Sequence, residues 1–271
     1  MIMKRIYQDY HMHSSISPDG NSSMEDMCRS AIDKGFKEIA ITDHYEFYID
    51  GVASYRFNEA YLDEYFIAIN KCKDKFSDRI IIKKAIELGQ QHLQHEKANR
   101  ILESYKFDFV LASVHKIRNL DLSQINYNHS IIDIYSKRYL EEVYELADNE
   151  DFDCLAHLDL IKRYASKNNI KVNLAKYKDE LSQIFKRLID KNKGIEINTS
   201  GLRQGLNEPM PSLEILKLYR AAGGEIITLG SDSHNIQDIG RDFEKAYDII
   251  KAAGFDSIYT FDNRESKRIQ L

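Results

Sequence analysis

A chain of 271 residues with 43% apolar content is long enough for one α/β barrel with a large buried core. Its formal net charge of -5 excludes a nucleic-acid surface built on bulk positive charge, but leaves room for a small anion in a locally positive pocket. The three cysteines, Cys28, Cys72 and Cys154, are far apart and form no CxxC pair, which argues against a disulfide framework or a thiolate zinc site.

Short apolar runs alternate with longer amphipathic ones along the whole chain. The runs at 6–11, 38–42, 80–88, 109–114, 152–157, 194–198 and 225–229 read as strands, with a last one at 257–261. Helical patterns lie between them. Ser22 and Glu25 form a capping box that opens a helix ending near Gly35. Residues 58–76 place Tyr61, Leu62, Tyr65, Phe66 and Ile69 at helical spacing, and 131–146 and 174–190 follow the same pattern. In 211–222, Pro211 suits a first turn and Gly223-Gly224 a stop. A final helix spans 243–253. This alternation predicts a parallel sheet, and seven or eight units predict a barrel. No linker rich in Pro, Gly or Ser interrupts it, so a single domain over 1–271 is expected. The segments 45–57 and 116–130 read as long loops over one end. The cysteine usage, and the lack of a leader or of a segment long enough to span a bilayer, point to a cytoplasmic protein with no membrane partner.

The chemistry gathers at one end of the expected barrel. Of nine histidines, His11, His13, His44, His115, His157 and His234 fall at the carboxyl ends of expected strands. That end is where parallel barrels carry their active sites. Residues i and i+2 of a strand share a face, so His11/His13, His157/Asp159 and Asp232/His234 can point into one mouth. Glu87 closes an apolar strand, where a lone buried acid is costly without a cation. Imidazoles and carboxylates in this number exceed the needs of one ion and suit two or three of zinc, iron or manganese. His92, His95 and His129 lie outside this pattern, and the first two read as a solvated face.

His11-x-His13, Thr42-Asp43-His44, Glu87, Ser113-Val114-His115, His157 and Ser231-Asp232-Ser233-His234 together resemble the PHP (polymerase and histidinol phosphatase) superfamily. The resemblance implies a distorted (β/α)7 barrel of TIM-like type with three divalent metal ions. His11, His13, Glu87 and Asp232 would hold the first. Glu87 would bridge to a second, held by His115 and His157. Asp19, His44 and His234 would hold the third. Asp19 stands where many relatives have histidine, and Ser17-Pro18-Asp19-Gly20 is also a good turn sequence. Residues 157–164, the segment Asn198 to Arg203 and the Pro211-Ser212 pair resemble the histidinol-phosphate phosphatase branch.

That branch implies hydrolysis of L-histidinol phosphate in histidine biosynthesis, by in-line attack of ion-bridging hydroxide on phosphorus. Arg163 and Arg203 are the expected phosphate contacts, since a guanidinium grips phosphate through paired hydrogen bonds. Ser200 either donates to phosphate or shapes the turn before Gly201. Asp43 either protonates the leaving group or orients a ligand imidazole. Glu46 and the aromatics Tyr45, Phe47 and Tyr48 are candidates for contact with the amine and imidazole. The expected partner is a small phosphate ester, with the protein a monomer or homodimer. A barrel acting on a nucleotide or sugar phosphate is the nearest alternative. A non-catalytic metal-binding regulatory barrel belongs to another class.

Overall fold

In the computed structural model, residues 8–49 and 56–271 are described. The expected strand over 6–11 therefore lies partly outside them. Seven parallel strand positions run round a barrel in the order Gln8–Asp9, Glu38–Ile41, Ile81–Gly89, Phe109–Ser113, Cys154–Leu155, Gly194–Asn198 and Ile227–Gly230. A further strand, His44–Glu46, pairs with Ile81–Gly89 in the same register as Glu38–Ile41 does. Ile41 faces Lys84 and His44 faces Glu87, so it continues the second strand past a break at Thr42 and Asp43. The seam between first and last strands is joined by Tyr10 N–H donating to Leu229 O at 3.0 Å and Asp232 N–H donating to His11 O at 2.8 Å. This is the distorted seven-fold α/β barrel expected from the sequence.

Helices cover the outside, and three of them begin at a side-chain cap that the sequence supplies. Ser23 rather than Ser22 opens the helix Met24–Asp33, its hydroxyl accepting from Asp26 N–H at 3.1 Å. Gly35 follows with φ 85°, a conformation that costs glycine nothing. Asn58 caps Glu59–Lys75. Ser212, not Pro211, caps Leu213–Ala221, because the Ser212 side chain can accept from Ile215 N–H and a proline has nothing equivalent to offer. The helix His95–Ser104 was not expected; its polar surface hides a buried stripe of only Ala98 and Ile101. No helix among the described residues is long and apolar enough to cross a membrane.

The expected strand at 257–261 does not join the barrel. It forms an antiparallel hairpin, Ser257–Asp262 with Glu265–Gln270, turned by Asn263 and Arg264, both at positive φ. This hairpin plugs the barrel. Ala40, Ala85, Cys154 and Ala156 keep the interior wide enough for Tyr10, Phe109, Leu111 and Phe261. The Phe261 ring packs tilted against Phe109 with centroids 4.9 Å apart, and the Phe261 backbone N–H donates to the Tyr10 hydroxyl at 2.9 Å. A second unexpected hairpin, Lys116–Ile117 with Leu120–Asp121, lies within the long segment over the opposite end.

The plug is the barrel's one large apolar insert, so Phe261→Ala should cost about 3–5 kcal/mol of stability. Denaturant unfolding would show it as a lowered midpoint with the slope unchanged. A shift below about 1 kcal/mol would mean the hairpin is not integral to the core.

Candidate metal centre

Six imidazoles reach the barrel mouth from five strand ends, and five of them share Glu87. Its side chain is fully buried. Oε2 lies 3.3 Å from His11 Nε2, 3.5 Å from His13 Nε2 and 2.8 Å from His44 Nδ1. Oε1 lies 3.2 Å from His115 Nε2 and 3.0 Å from His157 Nε2. One carboxylate thus faces two groups of donors, one with each oxygen. Asp232 Oδ1 completes the first group, 3.5 Å from His13 Nε2 and 3.7 Å from His11 Nε2. Asp19 Oδ2 lies 3.1 Å from His234 Nε2 and 3.6 Å from His44 Nε2. The structure therefore brings all nine residues expected as ligands to one mouth, with donor sets that overlap the expected groups: His157 clusters with His11 and Glu87, and His13 with His44 and His234.

The electrostatics are those of mutually dependent charges. Burial would raise the Glu87 carboxyl, but His44, His11 and His115 outweigh it and hold it well below the carboxylate range. Burial opposes charge on His11 too, yet Glu196, Glu87 and Asp232 push it well above the usual imidazole value. His13 goes the other way: burial, then the neighbouring His44 and His234, push it well below. Burial would raise Asp19, but hydrogen bonds from His234 and His44 hold it far down.

The outer contacts decide what this cluster can hold. His11 Nδ1 lies 2.6 Å from Glu196 Oε1, and His115 Nδ1 lies 2.6 Å from Glu46 Oε1. A carboxylate that accepts a hydrogen bond from Nδ1–H fixes the tautomer whose Nε2 lone pair faces inward, the arrangement that orients metal-ligating histidines. His11 Nε2 and His13 Nε2 then converge to 2.9 Å, and donor atoms in the sets His11/Glu87/His157, His11/His13/Asp232 and His13/His44/His234 lie within 4.8 Å of one another. Nitrogen lone pairs and carboxylate oxygens packed this closely fit divalent cations of the zinc, manganese or iron type.

Three expected site residues take supporting positions instead of facing the cavity. Asp43 accepts from Ser14 N–H, Ser14 Oγ–H and Ser17 Oγ–H at 2.6, 2.7 and 2.9 Å, so its oxygens are fully used away from the cavity. Ser17 Oγ in turn lies 3.3 Å from His13 Nδ1, so Asp43 is linked to a cluster imidazole through one serine. Arg203 Nη2 donates to the carbonyl oxygens of Ser231 and Asp232 at 2.6 and 2.9 Å, clamping the turn behind Asp232. Ser200 Oγ lies 2.6 Å from Asn198 Oδ1 and 3.0 Å from Asp232 Oδ2. Arg163 does line the cavity, with Nη1 3.5 Å from Asp232 Oδ2 and the guanidinium 5.1 Å from the Tyr164 ring centre.

Asp159 also turns away, toward Lys162 Nζ at 2.8 Å, because the backbone at His157 has φ 22° and breaks the strand alternation. Glu46 and Tyr48 line the cavity while Tyr45 and Phe47 are buried in the core, as alternate residues of an extended segment must be.

Glu196 and Gln90 were not singled out from the sequence. Glu196 also accepts from His157 N–H at 2.9 Å, and Gln90 bonds both Glu46 Oε2 and the His115 backbone. A signal for Glu196 was present: an acid inside the apolar run Gly-Ile-Glu-Ile-Asn, the same feature that marked Glu87. Glycines make space for these outer carboxylates. A Cβ at Gly230 would overlap Glu196 Oε1 and His11 Cβ, and one at Gly89 would overlap the Glu46 carboxylate.

Residues 9–200 match the PHP domain family. The chain belongs to that family. Among PHP proteins, the histidinol-phosphatase of Lactococcus lactis is 33% identical over 96% of this chain and 95% of its own length. The probable histidinol-phosphatase of Clostridium acetobutylicum is 30% identical over 96% and 98%. A crystal structure of the Lactococcus lactis histidinol phosphate phosphatase complexed with zinc, L-histidinol and phosphate superposes with a TM-score of 0.82, covering 96% of this chain and 98% of that one, at 30% identity.

Gly230→Ala should displace Glu196 from His11 and lower bound metal well below that of the parent protein, even where the fold survives. Elemental analysis of purified protein together with circular dichroism checks this. Full metal content in a folded variant would show that the outer carboxylate is dispensable.

Proposed function

We propose that this chain is a metal-dependent phosphomonoesterase that hydrolyses L-histidinol phosphate to L-histidinol and phosphate. The observation that carries the reading is the bridging position of Glu87 between two sets of imidazoles, in a chain matched over 96% of its length by a structure holding zinc, L-histidinol and phosphate. His11, His13, Glu87 and Asp232 would hold one divalent ion; Glu87, His115 and His157 a second; and Asp19, His44 and His234 a third. Zinc is favoured by the Lactococcus lactis complex, and manganese or iron suit the same donors. Such ions supply a water ionised near neutral pH and neutralise charge on phosphate oxygens.

The protein's own groups do the rest. The cavity at the barrel mouth is about 300 Å³, suited to a small ester and too small for a folded nucleic acid. Arg163 reaches it as a cation. Burial opposes that charge, but Tyr164 and Asp232 outweigh the effect. Its guanidinium is placed to donate to nonbridging phosphate oxygens and to stabilise charge as it spreads over them. Glu46, Glu196 and Ser17 hold His115, His11 and His13 in fixed orientations, so no reorganisation is needed when phosphate enters. The remaining wall, with Tyr48, Phe57, Asp121 and Tyr164, is left for the organic part of the ester. The reading places the enzyme in the cytoplasm and needs no nucleic-acid partner.

A panel of biological phosphomonoesters and phosphodiesters, scored by kcat/KM, tests the assignment. L-histidinol phosphate should exceed nucleotide and sugar phosphates by roughly 100-fold or more. An equal response to all of them would sink it. His11→Ala and Glu87→Ala should each lose both activity and bound metal. Arg163→Ala should keep its metal while kcat/KM falls about 100-fold, mainly through KM; an unchanged KM would remove Arg163 from the phosphate site.

A further inference from the structure

The cavity is lined by four carboxylates, Asp19, Glu46, Asp121 and Asp232. Three are engaged by cationic or imidazole partners. Asp19 meets His234 and His44 at 3.1 and 3.6 Å. Glu46 meets His115 at 2.6 Å and is paired with Lys116. Asp232 meets His13 and Arg163, each at 3.5 Å. Asp121 differs. Its one hydrogen bond is accepted by Oδ1 from the backbone N–H of Ser123, at 2.8 Å. Among the described residues no Lys, Arg or His nitrogen pairs with it. Lys116 sits directly opposite Asp121 in the hairpin register, but its ammonium is committed to Glu46 and lies over the Tyr48 ring at 4.7 Å. Among the described residues Asp121 is therefore the lining acid with no direct ion pair: Lys116 feels its charge across the hairpin but is bonded to Glu46.

A carboxylate that lines a small cavity and makes no direct ion pair of its own attracts a cation from the ligand. The phosphate end of the cavity is already provided for by the imidazole cluster and Arg163. We propose that Asp121 is the specificity-determining residue for the organic half of the ester. It receives the protonated amine of an amino-alcohol phosphate, and selects this substrate class over uncharged alcohol phosphates. The inference rests on the proposed function, since L-histidinol carries such an amine next to its carbinol carbon. The hairpin Lys116–Asp121 accounts for the placement. It folds over the barrel mouth and carries Lys116 to Glu46 and Asp121 to the opposite side of the turn.

Asp121 also caps the short turn Leu122–Gln124, and a capping role alone would explain its backbone bond. Asp121→Asn separates the two roles, because the amide oxygen accepts the same Ser123 N–H while the charge is lost. The decisive measurement is kcat/KM of the metal-loaded parent and variant on L-histidinol phosphate and on its analogue with hydrogen in place of the amine. The parent should prefer the amine-bearing ester by about 10- to 100-fold, the range for one charge-assisted hydrogen bond. Asp121→Asn should abolish most of that preference while its rate on the analogue stays within about 2-fold of the parent. Equal losses on both esters, or no loss on either, would overturn the role of Asp121 and leave the proposed function standing. A parent protein that cleaves neither ester but hydrolyses another phosphomonoester would overturn the substrate assignment itself.

Discussion

Everything at the barrel mouth depends on one buried carboxylate. Glu87 is fully enclosed, and an enclosed carboxylate is tolerated only among positive or proton-donating groups. Five imidazoles from four other chain segments surround it within 3.5 Å. None of them could sit so close to the others without it, and it could not stay ionised without them. The arrangement is electrostatically costly as a bare protein cluster and consistent once cations share its lone pairs. That tension is what marks the cluster as a metal centre and not a structural polar core.

The rest of the chain serves to hold those groups still. The lower barrel is a packed apolar plug of Tyr10, Phe109, Leu111 and Phe261, so strand ends at the mouth cannot shift independently. Above it lies a ring of outer acids and amides. Asp9 is buried and accepts from the backbone of Ser231 and Gly240 at 2.9 and 3.0 Å, tying the last strand's turn to the first strand. Burial raises its carboxyl, and these hydrogen bonds only partly offset that. Arg203 grips the same turn from the other side, where Asp232 takes φ 53° to aim its carboxylate inward. Such a backbone conformation persists only when its surroundings enforce it.

The two hairpins show how little of the chain outside the barrel is passive. One, at the carboxyl end, closes the bottom of the barrel. The other lies over the mouth and brings Lys116 and Asp121 to the cavity wall, where Lys116 lies over Tyr48. Sequence periodicity treats the first as a last barrel strand, because alternation does not say which strand it pairs with, and the second as loop, because a two-residue strand carries no measurable alternation.

The sequence by itself determined the barrel class, the seven strand positions within a few residues, and which imidazoles and carboxylates meet at the mouth. Those features are written in local terms. Apolar runs alternate with helical patterns, His11-x-His13 and Asp232-x-His234 mark strand ends, and Glu87 and Glu196 stand out as acids inside apolar strands. What it left open was which of the neighbouring polar residues face the cavity. Ser200 and Arg203 follow a strand end as Arg163 does, and Asp43 is adjacent to a ligand candidate, yet Arg203 and Asp43 are engaged by backbone and serine groups and Ser200 by the Asn198 and Asp232 side chains. Only the tertiary structure decided this. Side-chain direction past a strand end depends on backbone turns such as those at His157 and Asp232, where the two-residue alternation ends and contacts from distant segments set the angle.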